Sequence, residues 1–144
     1  METSGSFFVR LGVMQPEVTQ PEEKTIYELA GGDEAFFRLV HRFYEGVETD
    51  PVLRPLYPAD LSESEHFTAL FLIQYCGGPG TYSEQKGHPR LRMRHMPFAI
   101  GQKERDAWVL HMRHAVETEI ENPAVRTYLN EYFERTATFM MNRS

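Results

Sequence analysis

From Thr25 onward the apolar residues of this chain return every third or fourth position, and glycine or proline cuts the pattern into helix-length pieces. No segment alternates polar and apolar residues long enough to build a strand. That pattern restricts the chain to an all-α domain. A content of 41% hydrophobic and 12% aromatic residues supplies a core, and 144 residues suit one domain.

The pieces read as follows. Thr25 caps a short helix, Ile26 to Ala30, stopped by Gly31-Gly32. Asp33 caps a longer helix with Phe36, Phe37, Val40, Phe43, Tyr44 and Val47 on its buried face, ended at Asp50-Pro51. Ser62 and Glu65 have the spacing of a capping box, and the helix after them stops at Gly77-Gly78-Pro79. Residues 79–89 read as a loop, followed by a short helix from about Arg90 to Met96 that Pro97 closes. Gln102 to Ile120 is periodic again, through Trp108, Leu110, Met112 and Val116. Asn122-Pro123 opens a last helix, which buries Val125, Leu129, Tyr132, Phe133, Phe139 and Met140. Residues 1–20 read as a flexible N-terminal extension and residues 21–144 as the folded domain.

The formal charge of -6 argues against nucleic acid and against an anionic membrane surface as partners. No apolar run reaches the roughly 20 residues of a membrane helix. Met1 to Arg10 lacks the pattern of a signal peptide, so the expected location is cytoplasmic. The single cysteine, Cys76, rules out an internal disulfide and reads as a packed small residue.

Three histidines, at two places, are candidates for chemistry. His111 and His114 stand three apart on one helix and could chelate a metal, but no carboxylate completes an obvious set. His95 has apolar neighbours at helical spacing and a proline two residues on. It is either a hydrogen-bonded core histidine or an axial haem ligand, and spacing alone favours the former. Tyr44, Tyr57 and Trp108 fall on segments expected to be buried, where their polar hydrogens need partners. Backbone acceptors or a bound ligand would serve.

The run from Gly77-Gly78-Pro79 through Thr81-Tyr82-Ser83-Glu84-Gln85 and Gly87-His88-Pro89 to Leu91-Arg92-Met93-Arg94-His95 resembles the group II truncated haemoglobins. So do Pro97-Phe98-Ala99-Ile100, Glu104-Arg105-Asp106-Ala107-Trp108, Arg42-Phe43-Tyr44 and Leu56-Tyr57-Pro58. The resemblance runs over about residues 25 to 140. It implies a two-over-two helical sandwich around haem b that binds oxygen, CO, NO and similar ligands.

Carried over residue by residue, His95 matches the proximal iron ligand. Trp108 and Tyr57 match distal groups facing the bound ligand, and Tyr44 matches an aromatic position on the second helix. Phe43 matches a residue packed beside the porphyrin. Ser64 and Thr68 stand where many members carry less polar residues, which implies a more polar distal pocket. Leu72, Leu91, Phe98, Ile100 and Met112 are expected as further haem walls. Phe67 occupies a position that is basic in some relatives, so Arg92, Tyr82 and His88 become the expected propionate contacts.

Up to three donors on one ligand implies slow oxygen release, each being worth about 1.5–3 kcal/mol if the ligand becomes partly anionic. That favours ligand chemistry, sensing or scavenging over bulk transport. The alternative reading is a haem enzyme of peroxide, nitric oxide or sulfide chemistry, with classical peroxidase chemistry ranked lower because no separate distal acid–base histidine is evident. Turnover would need a separate reductase, since the chain has no flavin or nicotinamide fingerprint. A globin-like interaction domain without haem is the third reading, and a monomer or homodimer fits any of them.

Overall fold

A computed structural model describes residues 23–144. The expected extension at residues 1–20 lies outside them. Among the described residues there are helices and no strand. They are α1 (Ile26–Ala30), α2 (Gly32–Thr49), α3 (Ser62–Tyr75), α4 (Thr81–Lys86), α5 (Leu91–His95), α6 (Gln102–Glu119) and α7 (Pro123–Met140), with a 3-10 turn at Arg54–Leu56. None is long and apolar enough to cross a membrane.

The four long helices make the core. α2 packs on α3 and α6, and α6 packs on α7. Ala35, Phe36, Leu39, Val40 and Val47 of α2 meet Met112, Ala115 and Val116 of α6 and Val125 and Leu129 of α7, all with no exposed surface. Each large apolar side chain so buried contributes roughly 1.5–3 kcal/mol.

Local chemistry sets the helix ends. Thr25 and Glu28 form a reciprocal capping box on α1. Asn122 Oδ1 accepts from the backbone N–H of Ala124 and Val125, and Pro123 begins α7 without needing a donor. At the junction of α1 and α2, Gly31 takes φ 115°, a left-handed conformation that favours glycine.

Several expectations are corrected. Asp33 does not cap α2; Gly31 holds that position, and Asp33 accepts a 2.7 Å hydrogen bond from the Tyr27 hydroxyl. Ser62 begins α3, but its capping box with Glu65 does not form. Asp60 accepts from the Ser62 backbone and hydroxyl, while Glu65 pairs with His41 across to α2.

The supposed loop at 79–89 contains α4. Gln74 at the end of α3 accepts from the Ser83 backbone N–H through Oε1 and donates to the Ser83 hydroxyl through Nε2, and Tyr82 is buried against Phe71. This docking stabilises a six-residue helix too short to persist by itself. Phe37, Leu110 and Phe139 are exposed rather than buried. The Arg92 guanidinium covers one face of Phe139, with its carbon 5.6 Å from the ring centroid.

Candidate functional site: a haem-sized cavity

The helices enclose a cavity of about 420 Å³, within the range of small-molecule and cofactor sites. Phe43 and Tyr44 enter it from α2, Tyr57 from just beyond the 3-10 turn, and Ser64, Thr68 and Leu72 from α3. Tyr82 of α4, Leu91 and His95 of α5, and the following Phe98 and Ile100 border it too. α6 adds Trp108 and Met112. All of these were expected from the sequence. His88 and Arg92 do not border the cavity; Arg92 donates instead to the carbonyls of Phe139 and Met141.

The His95 ring is oriented by its own helix backbone. Its Nδ1 lies 2.7 Å from the Leu91 carbonyl oxygen one turn back. A carbonyl only accepts, so the proton sits on Nδ1 and the lone pair remains on Nε2. Histidines that bind a metal through one ring nitrogen typically donate from the other in this way.

Tyr44, Tyr57, Thr68 and Trp108 are linked polar groups on the cavity wall. The Tyr44 hydroxyl lies 3.1 Å from Thr68 Oγ1. Its ring meets Tyr57 edge-on at 5.5 Å and Phe43 edge-on at 5.0 Å, and Phe43 lies 5.3 Å from the Trp108 ring. Burial pushes the Tyr44 phenol up to about 12, with Thr68 opposing the shift. Burial also raises Tyr57, and a hydrogen bond with Trp108 acts against it. Both hydroxyls are therefore protonated at neutral pH and available as donors.

Sequence reasoning missed the cations that border the cavity. Lys86 has its ammonium 4.5 Å from the Phe67 ring centroid, and Arg94 is held by the carbonyls of Pro89 and Lys86. Arg105 also borders it. A periodicity read over the five residues of α5 does not say which arginine turns inward. An apolar slot with a pre-oriented imidazole and cations at its edge fits an iron porphyrin with two carboxylates. His111 and His114 make no metal site: among the described residues no group of histidine, cysteine and carboxylates is placed to hold an ion, and His111 bonds Asp50 at 2.7 Å.

The model of the bacterial-like globin family matches residues 25–142. The group 2 truncated haemoglobin YjbI of Bacillus subtilis is 41% identical over 113 residues, 78% of this chain and 86% of that one. The crystal structure of haemoglobin from Chloroflexus aurantiacus is 53% identical with a TM-score of 0.82, covering 84% of this chain and all of that one. The group II 2-on-2 haemoglobin of Agrobacterium tumefaciens is 42% identical with a TM-score of 0.82, covering 88% of this chain and all of that one. The helical sandwich, its cavity and these relatives together place the chain in the bacterial-like globin family, among the group II truncated haemoglobins.

Proposed function

We propose that the chain holds haem b through His95 Nε2 and binds oxygen, CO and NO reversibly, with slow oxygen release. The observation that carries this is the Nδ1 contact of His95 with the Leu91 carbonyl on the wall of an apolar cavity. It fixes the tautomer that offers Nε2 to a metal. Bound there, haem supplies an iron centre with a coordination position for a small gas molecule. Globins as a family bind such gases.

The residues of the chain do the rest. Phe43, Leu72, Leu91, Phe98, Ile100 and Met112 wall the porphyrin away from water. Lys86, Arg94 and Tyr82 are the groups at hand for its carboxylates, in place of His88 and Arg92. Trp108 Nε1–H and the Tyr57 hydroxyl supply donors to a ligand that gains negative charge. Tyr44 and Thr68 hold each other and set the position of the neighbouring Tyr57 ring, while Ser64 adds a hydroxyl to the same wall. Residues 21–144 act as one globin domain.

Absorption spectra of the ferric, dithionite-reduced and CO-treated protein test the reading. A Soret band should appear, move on reduction and move again with CO, and His95→Ala should lose that behaviour. A protein with no Soret band after haemin is added would refute it.

A further inference from the structure

α5 carries His95 yet buries none of its residues, and a helix of five residues does not persist by itself. The Leu91 carbonyl orients the imidazole, but it belongs to the same helix and does not say where that helix sits. Groups outside α5 must fix its place against the cavity.

The C-terminal tail supplies them. α5 packs on α7, and the chain just beyond α7 is hydrogen-bonded to the segment that follows His95. Asn142 Nδ2 donates to the Phe98 carbonyl at 2.9 Å and to the His95 carbonyl at 3.4 Å. Its Oδ1 accepts from the Ile100 backbone N–H at 2.9 Å. The Ile100 carbonyl accepts in turn from the backbone N–H of Asn142 at 2.8 Å and of Arg143 at 3.2 Å. One side-chain amide thus serves both donors and acceptors of a stretch that lies between α5 and α6 and has no helical partners of its own. From within α5, Arg92 donates to the carbonyls of Phe139 at 2.7 Å and Met141 at 3.1 Å. Those carbonyls stand at the C-terminal end of α7, where intrahelical donors run out and a cation is favoured. Phe98 and Ile100 border the cavity beside His95, so these bonds act on two of its walls as well.

We infer that Asn142 and Arg92 are positioning residues for His95: they pin α5 and the main chain of residues 95–100 to the end of α7, and so set how far and at what tilt the imidazole reaches into the cavity. The inference rests on haem binding through His95. Without these bonds the Leu91 contact survives and the ring keeps its tautomer, but the helix is free to shift as a unit. Outer contacts of this kind tune a metal–imidazole bond without touching the metal.

The test uses the full chain with haem, its Soret and CO spectra recorded first for every variant. Resonance Raman spectra of the ferrous, ligand-free protein read the iron–histidine stretch. Transfer of haem to an excess of haem-free myoglobin reads the rate of haem loss. Asn142→Ala removes donor and acceptor together. It should shift or broaden the stretch and speed haem loss roughly tenfold, the scale of one or two hydrogen bonds. Asn142→Asp still accepts from Ile100 but no longer donates to His95 and Phe98. It should shift the stretch too, and it serves if Asn142→Ala does not fold. Arg92→Met keeps a stem over the Phe139 ring without the guanidinium and should also shift the stretch. Asn130→Ala is the control. Asn130 bonds Glu117 at 3.1 Å, joining α7 to α6 outside the cavity lining. Its loss removes a hydrogen bond without touching the tail, and its stretch should match the wild type. An unchanged stretch in the Asn142 and Arg92 variants, or an equal shift in Asn130→Ala, overturns the positioning role and leaves haem binding standing. Absence of a Soret band in the wild type overturns both.

Discussion

Gly46 of α2 and His111 of α6 touch so closely that a Cβ at position 46 would lie 2.3 Å from His111 Nδ1. The imidazole occupies the space a side chain would need, and its Nε2 reaches Asp50 at the end of α2. This contact ties the helix carrying Trp108 to the helix carrying Phe43 and Tyr44.

Gly46→Ala therefore forces the ring aside or separates the helices. Overpacking of this kind costs about 1–3 kcal/mol. Thermal unfolding should show a lowered Tm, and adding His111→Ala should recover part of the loss. The double-mutant cycle reads the coupling directly. Equal losses with and without His111 would show that the clash is not with that ring.

The same contact has an acid limb. The His111 hydrogen bond, aided by the backbone N–H of Val52, holds the Asp50 carboxyl below its ordinary value. A carboxyl with a lowered folded pKa adds stability that is fully present above its unfolded pKa, about 3.9. That stability is lost as pH falls through the lower folded value. Stability measured from about pH 6 downward should therefore decline less steeply in Asp50→Asn than in the wild type in the window below about 4. Parallel curves would remove Asp50 from the acid response.

The long helices were readable because their apolar positions repeat over several turns, as with Phe36, Val40, Phe43 and Val47, whereas the cavity-facing residues came from the resemblance of motifs. The match of motifs then marked His95, Tyr57 and Trp108. What was hidden depends on partners distant in sequence. Ser62 looks like a cap until Asp60 takes its hydrogen bonds. α4 forms because Gln74 receives Ser83. Leu110 and Phe139 have helical spacing yet face outward, since a stripe of apolar residues does not say how wide the neighbouring helix is. Gly46 gave no signal at all, as its requirement lies in the ring of a residue on another helix.

Trp108 offers the most direct measure of the proposed distal chemistry. Its indole is a donor with no accepting capacity, and its ring is fixed between Phe43 at 5.3 Å and Phe133 at 5.6 Å. Trp108→Phe keeps an aromatic ring in that slot and deletes the N–H. A hydrogen bond to a group with charge character is worth about 1.5–3 kcal/mol, and each 1.4 kcal/mol is about tenfold in a rate or an equilibrium. Oxygen release, followed by stopped-flow mixing of the oxygenated protein with excess CO or dithionite, should therefore accelerate by roughly ten- to a hundredfold. CO gains less negative charge than oxygen when bound, so its release should change less. That difference separates loss of a donor from a general loosening of the pocket, which would speed both ligands alike. Tyr57→Phe provides the companion measurement. Its hydroxyl shares a hydrogen bond with Trp108, so the two single changes should not add in the double variant. Strict additivity would mean that the tyrosine and the tryptophan reach the ligand independently.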